Sequence, residues 1–250
     1  CCECDSCVAV NTGDDIDVIE IDGASNNGVD NIRELRSNAI FRPARSRYKI
    51  YIIDEIHMLS TGAFNALLKI LEEPPAHVKF IFATTEPNKV LPTIQSRCQR
   101  FDFRAIDAAS IGKQLITVLD SEALLYDGDF ITGVSRLANG SMRDALSLLD
   151  QVISTGAQPL TLEALEETLG QPGRQRIAQL LEKIGDKDTA GALELTDSLL
   201  TDGMSCLQIA DSLVEYMRDV MVVCAAGADS SLVVLTAAER QSMASISGKF

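Results

Sequence analysis

The sequence predicts an α/β protein: a parallel sheet crossed by helices, followed by helical domains. Three observations carry this expectation. Asp17–Asp22, Lys49–Asp54, Val78–Ala83 and Gln99–Arg104 read as strands, and helical patterns separate them. Such a β-α-β-α-β-α-β order argues for parallel pairing through right-handed crossovers. The second run, Lys49-Ile-Tyr-Ile-Ile-Asp54, is continuously apolar until its end, as in a strand buried on both faces. From Ala108 onward no convincing strand recurs and the pattern turns helical.

Composition narrows the function classes. The chain has 250 residues and a formal net charge of −14, long enough for two domains or more. The 46% apolar fraction is that of an ordinary globular protein. The acid is uneven: 16 acidic and 12 basic residues up to Asp107, then 20 and 10. An acidic total argues against a protein that coats nucleic acid non-specifically, though it leaves room for a local DNA-binding face. No segment approaches the roughly 18 consecutive apolar residues of a membrane helix, and no signal peptide is legible. A chain that starts at Cys1 suggests a fragment or a processed form. Four of the seven cysteines fall in the first seven residues, unlike a secreted disulfide framework, so a cytoplasmic setting is expected.

Cys1, Cys4 and Cys7 are spaced so that three thiolates on a tight loop can converge on one tetrahedral Zn²⁺. A structural zinc needs a fourth ligand; no Cys or His follows nearby, and Cys2 is too close to Cys1 to share the ion. The expected fourth ligand lies upstream. Unmetallated thiols are the second reading. An iron–sulfur cluster is the third, weakened because Asn11 stands about where a further Cys should be.

Gly23-Ala-Ser-Asn-Asn-Gly28 is turn chemistry, and Val29, Ile32, Leu35 and Ala39 share one helical face. Arg33, Arg36, Arg42, Arg45, Arg47 and Lys49 make the other face and following loop basic. A solvated face beside acidic neighbours is the preferred explanation; phosphate-backbone contact is the alternative.

Asp54-Glu55 stands at the carboxyl end of a strand, where open α/β sheets place their ligands. In nucleotide hydrolases an Asp there helps hold Mg²⁺, and a neighbouring Glu can polarise an attacking water. A strand ending in a solvated acidic turn explains the same residues. Ser60 can cap a helix whose Phe64, Leu67, Leu68 and Leu71 form an apolar stripe, and Pro74-Pro75 stops it. Thr84-Thr85 ends the third strand; its hydroxyls could meet a phosphate or simply finish the strand. Arg97 follows a short helix from Pro92, where the dipole already favours a cation.

Ser110–Glu122, Asp129–Ala138 and Ser141–Ser154 read as helices. Ser141, with Asp144 three residues on, is a variant of the capping box. Arg143 then falls in the first turn, against the dipole, at a cost of about 0.3–1 kcal/mol. A residue set against local preference invites a functional reading, here contact with an anion. Thr161–Leu169, Gln175–Ile184, Asp188–Leu200 and Ser205–Ala225 complete a helical tail that reads as packing or oligomerisation, with Cys206, Met217, Met221 and Cys224 expected in its core. The last 25 residues are rich in Ser and Ala, without a terminal signal.

Taken together, Asp54-Glu55-Ile-His-Met-Leu-Ser60, Asn65-Ala-Leu-Leu-Lys69, Leu71-Glu-Glu-Pro-Pro75, Ala83-Thr-Thr85 and Ser96-Arg-Cys98 resemble the gamma/tau family of bacterial DNA polymerase III clamp-loader ATPases, of the AAA+ class. The resemblance is most specific up to Phe103 and thins after Gly170. It implies an AAA+ P-loop NTPase sheet, incomplete at its N-terminus, followed by a helical lid and a helical collar. The implied domains are a partial nucleotide-binding domain over 1–107 with a zinc module at 1–7, the lid over 108–170, and the start of the collar over 171–250.

It further implies Asp54 as the Walker B carboxylate at Mg²⁺, Glu55 as catalytic base for ATP hydrolysis, and Thr84 or Thr85 as sensor 1. Arg97 would act in trans as an arginine finger, Arg143 would be the sensor 2 arginine, and Cys1, Cys4 and Cys7 would be three of four zinc ligands. The implied cofactors are ATP, Mg²⁺ and Zn²⁺. The implied partners are delta, delta-prime and further gamma/tau subunits in a hetero-oligomeric ring, the sliding clamp and primed DNA, with no membrane.

The family's phosphate-binding loop, Gly-x4-Gly-Lys-Ser/Thr, is absent from these 250 residues, so weak or no ATP binding is expected of this polypeptide alone. A non-hydrolysing, delta-prime-like scaffold subunit and another AAA+ regulator such as a branch-migration motor are the alternatives. The intact Asp54-Glu55 pair favours gamma/tau.

Overall fold

A computed structural model describes residues 1–170, 173–227, 230 and 232–246, which divide into two units, Cys1–Asp102 and Phe103–Phe250.

The first unit is built on three parallel strands in the order β1-β2-β3: Val18–Asp22, Lys49–Asp54 and Val78–Phe82. Val18 pairs with Ile50 and Asp22 with Asp54; Ile50 pairs with Lys79 and Ile53 with Phe82. Helix α1 (Asp5–Thr12) precedes β1, α2 (Val29–Ala39) joins β1 to β2, α3 (Thr61–Glu72) joins β2 to β3, and α4 (Pro92–Gln95) follows β3. Ile32, Leu35 and Ala39 on α2 and Phe64, Leu67 and Ile70 on α3 pack with Tyr51 and Ile53 of the central strand into one core. The expected stripes therefore face the sheet. Ser60 caps α3, accepting from Ala63 N at 3.2 Å, and α3 ends two residues before Pro74.

The chain between β1 and β2 is held by a buried carboxylate. Asp17 accepts the amides of Ala44, Arg45 and Ser46 at 2.7, 2.7 and 2.8 Å. Burial pushes its carboxyl up, but the three amides outweigh this and hold it below the usual carboxylate range.

Three expectations are corrected. Gln99–Arg104 forms no strand among the described residues. Its alternation is real, but a strand needs a ladder partner for its amides and carbonyls, and no described strand pairs with it. Phe101 and Phe103 are accordingly exposed. The cysteine segment is not a loop throughout, because Cys7 lies in α1.

The third correction falls in the second unit, which is helical: α5 (Ala108–Ser121), α6 (Gly128–Leu137), α7 (Met142–Ser154), α8 (Leu162–Leu169), α9 (Arg174–Gly185), α10 (Thr189–Thr201), α11 (Cys206–Ala226) and α12 (Ala237–Ile246). One core joins α5 to α8 through Leu115, Phe130, Val134, Leu149 and Leu165; another joins α9 to α12 through Ile177, Leu181, Leu199, Tyr216 and Met243. Cys206, Met217, Met221 and Cys224 are exposed rather than buried. Helix α11 runs 21 residues with apolar side chains on more than one face. Ile209, Tyr216, Val220 and Val223 take the core-facing stripe, so periodicity alone could not choose the face. Helix α12 had no sequence-based expectation; of the chain's final 25 residues, 247–250 lie outside the described ones.

The two helical cores are bridged by buried charge. Arg136 on α6 donates to Glu239 on α12 at 3.0 Å, and Arg174 at the start of α9 donates to Asp219 on α11 at 2.5 Å. Arg174 Nε also lies 2.8 Å from Glu239 Oε1, an ion-pair contact at an angle that makes no hydrogen bond. Its guanidinium stacks 5.2 Å from the Tyr216 ring centroid.

Candidate active site

The carboxyl end of the central strand carries the two adjacent acids. The backbone there is tight. Gly23, just past β1, donates its amide to Asp54 O at 2.8 Å, and a Cβ at position 23 would lie 2.8 Å from the Asp54 and Glu55 carbonyl oxygens. Only glycine permits that approach. Past β2 the chain turns sharply: Glu55 adopts φ 45° and ψ 46°, a left-handed conformation costly for a residue with a side chain. One 3-10 turn over Ile56–Met58 then leads to α3. Ile56 N donates to Ala83 O at 3.1 Å and Ala83 N to Ile53 O at 3.0 Å, so the end of β3 is locked beside the turn.

That lock brings Asp54, Glu55, Thr84 and Thr85 to one edge. Asp54 is exposed; its Oδ1 accepts from Glu55 N at 2.9 Å, and Oδ2 accepts no hydrogen bond among the described residues. A hard cation needs such a free carboxylate oxygen, so the residue fits a Mg²⁺ ligand. Glu55 Oε2 accepts from Thr85 N at 3.2 Å and from Thr85 Oγ1 at 3.1 Å. Beside β1, Asp22 accepts from the Ala24 amide and, in a very short contact, from the Ser25 hydroxyl. These bonds, the Ser25 hydroxyl first, hold its carboxyl below the usual range.

A histidine that carried no assigned role sits within this group. His57 Nδ1 lies 3.1 Å from Glu55 Oε2 and 2.9 Å from Thr84 Oγ1, and Nε2 lies 3.2 Å from Glu86 Oε2. Lys89 Nζ reaches the same Glu86 oxygen at 2.6 Å and is the main reason that carboxyl is held below its usual range. The spacing of His57 two residues past Glu55 was the one available sequence signal. The pairing with Thr84 and Glu86 comes from β3 lying beside β2. Both threonine hydroxyls are engaged within the protein, Thr84 with His57 and the Glu86 amide, Thr85 with Glu55.

Arg97 stands apart from these acids. Its guanidinium donates to Thr93 O at 2.8 Å, closing the end of α4, and to Glu72 Oε1 at 3.1 Å, while remaining exposed. Arg143 lies in the first turn of α7 in the second unit and is exposed. Ser141 caps that helix through Asp144 N at 3.2 Å. Of the basic residues, Arg33 pairs with Asp30, Lys49 Nζ donates to Asn38 O, and Arg47 lies over the Tyr48 ring.

The Sγ atoms of Cys1, Cys4 and Cys7 lie within 4.8 Å of one another, and Cys1 and Cys7 are 3.8 Å apart. Two thiolates on a tetrahedral zinc are separated by about 3.8 Å, given Zn–S bonds near 2.3 Å, so the set fits three corners of that polyhedron. The Cys2 backbone, with help from the Cys4 thiol, holds the Cys7 thiol below its usual range, which favours the ligating thiolate. Among the described residues no fourth His, Cys, Asp or Glu joins this group.

Comparison with known proteins separates by region. Residues 1–107 match the family "DNA polymerase III, delta subunit", residues 110–158 "DNA polymerase III clamp loader subunit, ATPase lid domain", and residues 160–250 "DNA polymerase III subunits gamma and tau domain III". DNA polymerase III subunit tau of Bacillus subtilis is 46% identical over 222 residues, covering 89% of this chain and 39% of the relative. Its counterpart in Escherichia coli is 41% identical over 204 residues, covering 82% and 32%. The chain thus spans less than two-fifths of the length of these relatives. The Thermotoga maritima RuvB Holliday junction branch migration motor superposes with a TM-score of 0.53 at 13% identity, covering 71% of this chain and 62% of that one. At that identity the likeness concerns the fold, a parallel AAA+ sheet followed by helices.

Proposed function

This chain belongs to the gamma/tau family of bacterial DNA polymerase III clamp-loader subunits, and from that premise we propose that it is part of an ATPase that loads the sliding clamp onto primed DNA. The observation that carries the reading is the pair Asp54 and Glu55 at the carboxyl end of the central parallel strand, with Thr84 and Thr85 just past the next strand and Thr85 bonded to Glu55. Bound Mg²⁺ would supply charge neutralisation at the nucleotide phosphates. Asp54 offers that ion a free carboxylate oxygen. Glu55, with one oxygen bound to Thr85, keeps the other for a proton taken from the attacking water. Thr84 and Thr85 would have to exchange an internal hydrogen bond to meet a phosphate as sensor 1.

On this reading Arg97, which is exposed, would serve a neighbouring subunit's ATP, and Arg143 would contact the nucleotide as sensor 2. Cys1, Cys4 and Cys7 would hold Zn²⁺ with a fourth ligand outside this set. Residues 1–107, 108–170 and 171–250 would act as nucleotide-binding domain, lid and collar. The apolar outward face of α11, including Val214 and Met221, suits burial in a collar of delta, delta-prime and further gamma/tau subunits. The setting on this reading is the cytoplasm; no helix among the described residues is long and apolar enough to cross a membrane.

Substituting Glu55→Gln in the full-length protein tests the reading. ATP binding should persist while turnover falls at least about 100-fold; unchanged turnover removes Glu55 as base. The 250-residue chain, lacking the Gly-x4-Gly-Lys-Ser/Thr sequence, should show little nucleotide binding by calorimetry; tight Mg²⁺-dependent binding would contradict this.

A second reading, a non-hydrolysing scaffold that lends Arg97 to its neighbour, is favoured by the match of residues 1–107 to the delta family. It predicts that Glu55→Gln changes nothing.

A further inference from the structure

We propose that His57 is a positioning residue for Glu55: it occupies one carboxylate oxygen, ties it to the segment after β3, and leaves the other oxygen aimed at water. The proposal rests on the reading of Glu55 as the base of an ATPase. The His57 side chain is only 7% exposed, on the single turn between the acid pair and α3, so its ring has little freedom to swing away. Each ring nitrogen has polar neighbours: Thr84 shares a hydrogen bond with Nδ1, and the Glu55 and Glu86 carboxylates stand at ion-pair distance without one. Nδ1 faces Glu55 Oε2 at 3.1 Å and Thr84 Oγ1 at 2.9 Å, and Nε2 faces Glu86 Oε2 at 3.2 Å. Glu86 is held in turn by Lys89. A chain of contacts therefore runs Lys89, Glu86, His57, Glu55, from the loop after β3 to the end of β2.

The two oxygens of Glu55 are treated differently. Oε2 lies within 3.2 Å of three groups: the Thr85 amide, the Thr85 hydroxyl and His57 Nδ1. Oε1 has only the long approach of the Thr85 hydroxyl, at 3.4 Å. A general base works only when its lone pair points at the proton it takes, and a displacement of about 1 Å can cost on the order of 100-fold in rate. Glu55 begins from a left-handed backbone that does not by itself choose a side-chain direction. Thr85 and His57 fix that direction from two separate segments. A bland core histidine would need only one satisfied nitrogen and no contact with the acid pair.

Asparagine can place an amide nitrogen where Nδ1 stands, and glutamine where Nε2 stands. In the full-length protein, His57→Ala and His57→Gln should lower kcat for ATP by about 10- to 100-fold with KM little changed, while His57→Asn should stay within about 3-fold of wild type. Equal turnover in all three variants, equal loss in the Asn and Gln variants, or a change confined to KM would overturn the proposal. Glu55→Gln run in the same assay separates the two readings: if it leaves turnover intact, the assignment of Glu55 as base has failed. The contact itself is read without ATP. The chain has two histidines, His57 and His77, so ¹⁵N-histidine spectra of this chain resolve both rings. Glu55→Gln should move the His57 Nδ1 signal and leave that of His77 in place; an unmoved His57 signal would overturn the proposal whatever the enzyme assay shows.

Discussion

At the end of β2, Asp54 stands open to water and Glu55 is held through one oxygen, whereas Glu239 and Asp219 in the helical unit are almost fully enclosed by Arg136 and Arg174. The same residue types meet in both places. In the first, the free oxygens of Asp54 and Glu55 are available to a cation or a proton. In the second, each carboxylate is consumed by guanidinium contacts between helices far apart in sequence. Burial and the nearby Arg174 charge push the Arg136 guanidinium down from its usual value, and Glu239 opposes them, so this cluster stands only while all members are present. On the proposed reading chemistry falls to the acids at the strand end, while the enclosed ones tie helices together.

The largest expected effect tests whether exposure means function. Arg97→Ala should lower ATP turnover of the assembled full-length ring by about 10³-fold or more, as expected of an arginine finger. The exposed Arg97–Glu72 pair contributes about 1 kcal/mol or less to stability, so the melting temperature of this chain should barely move. Equal loss of ATP binding by a single subunit would contradict action in trans.

Next comes the enclosed cluster. Glu239→Ala leaves Arg136 and Arg174 buried without their shared partner and should cost about 3–5 kcal/mol in urea denaturation. A cost below about 1 kcal/mol would place that cluster with the surface pairs and dissolve the contrast.

The smallest effect concerns Asp17, an enclosed acid in the first unit that takes amides instead of guanidiniums. Asp17→Asn should cost about 1–3 kcal/mol. The folded carboxyl lies below its unfolded value of about 3.9, so its stabilisation is complete above that pH and is lost as the pH falls through the folded value. The variant should therefore lose less stability than the wild type between pH 5 and pH 3, measured by urea titration at each. Parallel losses would show that the three amides do not govern its acid sensitivity.

Much of this was legible beforehand, and the limits have physical causes. Strands β1 to β3 and helices α2 and α3 follow from local pattern because each buries one continuous stripe. Gln99–Arg104 shows the limit, since alternation describes an extended segment but a strand also needs a neighbour. The outward Met217 and Met221 show another, because a helix with apolar side chains on more than one face does not say which side meets the core. In the site, Asp54, Glu55, Thr84 and Thr85 could be picked out as strand-end residues, and Cys1, Cys4 and Cys7 by their spacing. His57 could not be given a role, because its partners Thr84 and Glu86 lie 27 and 29 positions away.

By itself the sequence determined the alternation of strands and helices from β1 to β3, the acid pair at a strand end, and the spacing of three cysteines, all properties legible within a few residues. Tertiary structure alone decided that Thr85 and His57 crowd one oxygen of Glu55 and leave the other with a single long approach, and that Arg136, Arg174, Glu239 and Asp219 close on one another. Those outcomes depend on distances across strands and helices, which neither hydrophobic period nor residue spacing encodes.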